Sequence, residues 1–208
     1  ATYKSALLIF KDLERLKKHL KDRWRPIQII FAGKAHPADD PGKRLLQDLI
    51  NLARNPQLGG RIAFVEDYGE QLAQYLVHGV DIWLNNPLPP FEASGTSGMK
   101  AALNGVPQLS ILDGWWEEGF NGKNGWGIEH DKTSPDPDGS DAAKIYDTLE
   151  QKIIPLYYNM SDNGIPNKWV HLMKETMKST AAGFSARRMV KQYIEKFYSK
   201  CMEGVLKE

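Results

Sequence analysis

Apolar residues along the chain alternate between a helical and a strand-like spacing. Leu7, Phe10, Leu13, Leu16 and Leu20 recur at near-helical intervals among lysines, which predicts one amphipathic helix over Tyr3–Asp22. Ile27-Gln-Ile-Ile-Phe31 is then apolar and β-branched, breaks at Gly33, and reads as a strand, after which the run around Leu45, Leu49 and Leu52 returns to helical spacing. The alternation repeats with a strand at Ile62–Val65, a short helix at Gln71–His78, a strand at Val80–Leu84, a helical segment at Gly98–Asn104 and a strand at Leu109–Leu112. Strands rich in Ile, Val and Leu that alternate with helices predict an α/β fold, a doubly wound Rossmann-like parallel sheet with helices on both faces. Ligands of such sheets meet the loops at the carboxyl ends of the strands, so function is expected in the segments after Phe31, Val65, Leu84 and Leu112.

Between Asp113 and Ser140 the pattern dissolves into Gly-Trp-Trp, Asn-Gly-Lys-Asn-Gly-Trp and Ser-Pro-Asp-Pro-Asp-Gly. This predicts a long irregular excursion, of a kind that is usually functional or mobile. Helical segments follow near Ala142–Ile153, Lys168–Ser179 and Ser185–Tyr198, separated by Pro155, Pro166 and Gly183. There is no internal repeat and no low-complexity tract.

Charge narrows the function classes. With 27 Lys and Arg against 26 Asp and Glu, a formal charge of +1 gives no long-range field favouring nucleic acid or an anionic membrane. Any anion must be held locally. No apolar run approaches the ~20 residues needed to cross a bilayer and no signal-like segment opens the chain, so a soluble, cytoplasmic protein is expected. A single cysteine, Cys201, allows no internal disulfide and lies in a polar tail without a nearby base, so it reads as a bystander. No pair among the five histidines has helical metal-ligand spacing, and no metal site is expected.

One segment carries anion chemistry: Glu92-Ala-Ser-Gly-Thr-Ser-Gly-Met-Lys100-Ala-Ala-Leu-Asn104, which follows a strand and Pro87-Leu-Pro-Pro90. Ser94, Thr96 and Ser97 supply hydroxyls, Gly95 and Gly98 allow close backbone approach, and a helix starting near Thr96 offers free N–H groups and a positive dipole end. Lys100 then lies on the same face, one turn of about 5.4 Å further on. A ligand with a phosphate and an aldehyde on neighbouring ring positions, as in pyridoxal phosphate, would reach both the helix start and the lysine. The same composition also describes a well-capped helix start with a surface lysine. The pattern G-x-x-x-x-G-K-[ST] of a phosphate-binding loop is absent, because Lys100 follows Met99.

The string Glu92–Asn104 resembles the pyridoxal-phosphate attachment motif of the α-glucan phosphorylases, the glycogen, starch and maltodextrin phosphorylase family. The resemblance continues through Tyr3-Lys4, Phe31-Ala-Gly-Lys-Ala35, Phe64-Val-Glu-Asp-Tyr68, Leu112-Asp-Gly114, Phe184-Ser185 and Gln192-Tyr193, and so covers essentially the whole chain. Trp115-Trp116 and Asn121-Gly-Lys-Asn-Gly-Trp126 resemble the shorter bacterial-type branch. It implies the carboxy-terminal half of a two-domain GT-B glycosyltransferase architecture, with 1–183 as a Rossmann-like cofactor domain and 184–208 as a helix reaching back toward an amino-terminal domain. The implied reaction is phosphorolysis of terminal α-1,4-glucosidic bonds of a glucan by inorganic phosphate to release glucose 1-phosphate. This chain would supply one wall of the cleft and be inactive alone, since the arginine that grips substrate phosphate would precede Ala1.

The resemblance implies Lys100 as the Schiff-base lysine, Thr96 and the Ser97 backbone on the cofactor phosphate, and Tyr68 as a cofactor contact. It also implies Glu92, Ser94 and Gly95 around the glucosyl hydroxyls, and Lys4 on the cofactor and substrate phosphates. Gly69 stands where the vertebrate-type pattern has arginine. Competing readings are a nucleotide-sugar glycosyltransferase of the glycogen synthase type, which would not need Lys100, and a non-catalytic glucan-binding module. Among other candidates, the acids Glu117-Glu118 and Asp136/Asp138 read as solvated loop pairs rather than hydrolytic carboxylates, and His36 as a residue near a strand end that lines the cleft. Trp115, Trp116 and Trp126 read as packing under the long loop, with sugar stacking as the second choice.

Overall fold

The structure is a computed structural model that describes residues 2–205. Five strands are present among them, β1 (Ile29–Ala32), β2 (Ile62–Val65), β3 (Trp83–Asn85), β4 (Gln108–Ile111) and β5 (Gly125–Ile128). All pair in parallel, β1 with β2 (Ile29 opposite Ile62) and β3 with β4 with β5 (Leu84 opposite Leu109, Leu109 opposite Trp126). The α/β fold with parallel strands flanked by helices is therefore present. The hydrogen-bonded strands form two ladders rather than one continuous sheet. Leu84 of β3 packs against the buried clusters of both ladders, and so does Leu149, so the ladders share apolar side chains without sharing backbone bonds.

Helices α1 (Leu13–Leu20), α2 (Asp40–Ala53), α3 (Glu70–Gly79) and α4 (Thr96–Leu103) precede or connect the first four strands. The single helix expected over Tyr3–Asp22 is instead two short 3-10 turns, Thr2–Lys4 and Leu8–Phe10, followed by α1. The physical reason is local. Ser5 has φ of 44°, and Asp12 stands outside helical geometry while its carboxylate accepts a 3.0 Å hydrogen bond from the Arg15 N–H, which starts α1 afresh. The broken path buries Leu8, Ile9 and Phe10 in succession, which one face of a continuous helix cannot do.

The expected irregular excursion between Asp113 and Ser140 is also corrected. It holds α5 (Trp115–Gly119), strand β5 and the start of α6 (Pro137–Thr148). The strand escaped the hydrophobic pattern because its glycines make room for neighbours. A Cβ on Gly125 would lie 2.9 Å from Trp116 Cζ2, and one on Gly127 would lie 2.7 Å from Leu112 Cδ2 and 2.9 Å from Phe120. At these two positions the space of the missing side chains is filled by Trp116, Leu112 and Phe120 packed against the strand.

Beyond α6 the helix widens into a π turn (Leu149–Ile153) and ends in α7 (Ile154–Tyr157), followed by α8 (Asn167–Ala181), which packs on α4. The last helical stretch is α9 (Ala186–Tyr193), a second π turn (Ile194–Tyr198) and α10 (Ser199–Val205). Its apolar side chains Met189, Val190, Tyr193, Ile194, Phe197, Tyr198 and Met202 are all exposed. No helix among the described residues is long and apolar enough to cross a membrane.

A polar cluster pins α1 to α6 and its π turn. Arg15 donates to Glu150 at 3.1 and 2.7 Å and to Asp147 at 2.7 Å, His19 Nε2 lies 2.7 Å from Glu150, and the guanidinium stands 5.2 Å from the Tyr146 ring centre. The hydrogen bonds from Arg15, then that from His19, hold the Glu150 carboxyl down from 4.5 to about 2. A carboxyl depressed on folding adds stability above its unfolded pKa, and that stability is lost as pH falls from about 4.5 toward 2. Glu150→Gln is expected to cost about 1–2 kcal/mol at neutral pH, the partial exposure of the pair screening the rest. Urea unfolding at pH 7 and near the acid limit checks this: the gap to wild type should close in acid, and a gap that ignores pH would sink the ion-pair account.

Candidate functional site

The site is assembled at the carboxyl ends of β3 and β4. The opening segment is stitched there by two backbone acceptors, with the Leu88 N–H donating to Tyr3 O at 2.7 Å and the Asn86 amide to Ser5 O at 2.7 Å. This places the Lys4 ammonium against the Glu92 carboxylate, in an ion pair, and 3.3 Å from Asn85 Oδ1. Glu92 is buried. Its backbone N–H donates to Asp113 Oδ2 at 2.9 Å, while Asp113 Oδ1 accepts from the Gly114 N–H at 2.9 Å, so the buried Asp113 carboxylate clamps the loop after β3 to the loop after β4.

The loop then turns into α4 at Gly95, whose φ of 83° favours glycine and which provides no side-chain cap. The Trp115 N–H donates to Ser94 O at 2.8 Å. A Cβ on Gly95 would lie 3.3 Å from Trp115 Cδ1 and 3.4 Å from Glu92 Cδ, and one on Gly114 would lie 2.7 Å from Ser94 O. The two loops thus interlock with no space for further side chains. At the open end of α4, the N–H groups and hydroxyls of Thr96 and Ser97 have no hydrogen-bond partner among the described residues. Lys100 stands one turn along, exposed, and its ammonium is likewise unpartnered there. Free N–H groups at a positive helix end, two hydroxyls and a lysine on the same face suit a phosphate-sized anion that also carries an amine-reactive group.

Gly98 is explained differently from the expectation. A Cβ there would lie 2.0 Å from Gln108 Oε1 and 2.8 Å from Trp115 Nε1, so glycine at this position lets α4 settle onto β4 rather than admitting a ligand.

Of the residues proposed from sequence, the structure brings Lys4 onto Glu92 and holds Ser94, Gly95, Thr96, Ser97 and Lys100 in one continuous loop and helix. Tyr68 lies apart on the other ladder, half-buried beyond β2, and among the described residues no hydrogen bond joins it to α4. Asn85 and Asp113 join the site residues through Lys4 and the Glu92 backbone, and the only sequence signal for either is a polar residue at or just past the carboxyl end of a strand. The exposed His36 accepts the Ala38 N–H on its Nδ1 at 3.1 Å within its own turn. Asp136 caps α6 through the Gly139 N–H at 3.0 Å, Asp138 lies 3.9 Å from Lys11, and Glu117 and Glu118 are exposed. Trp115 and Trp116 are buried, and Trp126 stacks on Trp169 at 6.1 Å, so all three rings are packing elements.

Comparison with known proteins places this geometry. Residues 3–117 match the family model described as carbohydrate phosphorylase, a span that contains Lys4, Tyr68 and all of Glu92–Lys100. The chain is similar to the glycogen phosphorylase of Aquifex aeolicus, with 59% identity over 201 residues, covering 97% of this chain and 29% of that protein. It is also similar to the maltodextrin phosphorylase of Thermococcus litoralis, at 48% identity over 99% of this chain and 24% of that protein. The glycogen phosphorylase of Mycobacterium tuberculosis is 45% identical over 98% of this chain and 24% of its own length. The chain thus spans roughly a quarter of the length of the curated relatives it matches. A family match across more than half of the chain, with the clamped loops and the open start of α4 inside it, shows that the chain belongs to the carbohydrate phosphorylase family.

Proposed function

We propose that this chain is the pyridoxal 5'-phosphate-holding part of a cytoplasmic α-glucan phosphorylase, with Lys100 as the covalent anchor of the cofactor. The observation that carries this reading is the free Lys100 ammonium one turn beyond the unpartnered N–H groups of Thr96 and Ser97, a donor set that fits the aldehyde and the phosphate of one small molecule. The whole enzyme transfers the terminal glucosyl unit of an α-1,4-glucan to inorganic phosphate. A phosphate oxygen forms the new bond to C1, the bond from C1 to the chain oxygen breaks, and the departing oxygen takes up a proton, giving glucose 1-phosphate with retained configuration. When bound, the cofactor supplies a phosphate group that ionises near pH 6, by analogy with side-chain phosphate esters, and so gives and recovers a proton close to neutrality.

The chain's own residues bind and orient. Thr96, Ser97 and the start of α4 hold the cofactor phosphate, Tyr68 contacts the cofactor from the other ladder, and Lys4 supplies positive charge for the phosphates of cofactor and substrate. Glu92, Ser94 and Gly95 face the glucosyl hydroxyls, with the Glu92 backbone fixed by Asp113. Residues 1–183 act as the cofactor domain, and the helix over 184–208 packs against an amino-terminal domain of the same enzyme. Its exposed apolar stripe and the fourfold greater length of the relatives support that cover. Ala1 and residues 206–208 lie outside the described residues. Without the opposite wall, the chain is inactive alone.

The test is covalent. The chain is mixed with pyridoxal phosphate, reduced with borohydride, and its peptides are weighed; a pyridoxyl group on Lys100 is expected, and Lys100→Ala should abolish it. Label scattered over surface lysines, or retention on a nucleotide-diphosphate sugar without label, would overturn the assignment.

A further inference from the structure

Three polar atoms are buried without a hydrogen-bond partner directly beneath the first turn of α4: Gln108 Oε1, Gln108 Nε2 and Trp115 Nε1. Gln108 is wholly buried and Trp115 nearly so. Both converge on one point, since a Cβ on Gly98 would lie 2.0 Å from Gln108 Oε1 and 2.8 Å from Trp115 Nε1. Nearly all buried polar groups in proteins find partners, because an unpartnered one lowers stability, and an apolar residue of the same shape would remove that loss. A side chain kept at such a cost, under the one turn whose free N–H groups and lysine make up the site, is doing something other than filling the core.

We propose that Gln108 and Trp115 form a positioning pair for the first turn of α4, setting how far that turn stands above β4 and therefore where the free N–H groups of Thr96 and Ser97 and the Lys100 ammonium come to rest. The pair acts from two sides. Gln108 rises from β4 and wedges against Gly98, which has no side chain to yield. Trp115 holds the loop ahead of the turn through its backbone bond to Ser94 O and packs its ring against Gly95 and Gly98. The ring is in turn braced by Trp116 at 5.1 Å and by Phe184 at 5.1 Å. The link to cofactor rests on the reading of Lys100 above, whereas the link to α4 does not.

Two variants test the pair in this chain. Gln108→Met keeps length and volume while deleting both amide atoms, and Trp115→Phe keeps a ring against Trp116 and Phe184 while deleting the indole N–H. Both should melt at or above the wild-type temperature, yet exchange of the bonded amides at residues 98–101 of α4 should quicken and the dissociation constant for pyridoxal phosphate should rise about tenfold, as for a small displacement of a positioned group. In the double variant the effects should fall short of additive. Unchanged exchange at residues 98–101 would overturn the positioning role whatever happens to melting, and faster exchange with unchanged affinity would overturn its bearing on the anion site. A wild-type chain that takes no label at Lys100 would instead remove the cofactor reading, with the exchange comparison still deciding the role of the pair.

Discussion

Trp116→Ala should destabilise the chain by about 3–5 kcal/mol, among the largest losses that a single truncation produces. The ring is fully buried, lies 5.1 Å from Trp115 and 5.4 Å from Phe120, and its Nε1 donates to Trp126 O at 3.2 Å. It also occupies the space that Gly125 leaves on β5. Truncation therefore opens a cavity between α5 and β5 that neither can close, because α5 is a short helix anchored by Ser94 and β5 is fixed in register against β4. For a chain of this size the loss amounts to a fall in melting temperature on the order of 10 °C. Ala102 of α4 belongs to the same buried cluster, so α4 should loosen along with it. Thermal and urea unfolding measure the effect, and a loss below about 1 kcal/mol would mean that the rings repack and that the cluster is not the support described here.

The second large effect concerns association. Val190, Tyr193, Ile194 and Phe197 recur at helical spacing on the last helical stretch, and none of them is buried, an apolar stripe of the kind that soluble monomers rarely leave open. The chain is expected to self-associate in the range on the order of micromolar, as small apolar interfaces do. Val190→Asp combined with Phe197→Asp should weaken association by at least about tenfold, since each charge would be desolvated in the contact. Sedimentation equilibrium decides this. A wild-type chain that stays monomeric at high concentration would show that the exposed stripe does not by itself drive association.

The outline of the fold was legible because parallel strands announce themselves through β-branched runs such as Ile29-Ile30 and Ile62–Val65, and because the helices between them keep their apolar periodicity. What escaped the sequence were places where packing overrides local pattern. The two glycines of β5 are covered by the rings of Trp116 and Phe120, which hides half of its apolar pattern, and the first helix is broken because burying Leu8, Ile9 and Phe10 together outweighs helical continuity. The candidate site was legible where it is contiguous, from Glu92 to Lys100. Asn85, Asp113 and Gln108 were not, since their importance comes from strand neighbours distant in the chain. Gly98 was noticed for a reason that the fold does not use.

The stitching of the first residues across the loop after β3 fixes the starting point of any segment joined ahead of them. Tyr3 O and Ser5 O are bonded to Leu88 and Asn86, so a segment attached before Thr2 would depart from the rim of the site itself. A short tether from such a point confines its cargo at an effective concentration on the order of millimolar, with no affinity of its own. A domain delivered this way would find the Lys4–Glu92 rim by proximity, so its own contacts would only have to choose the orientation.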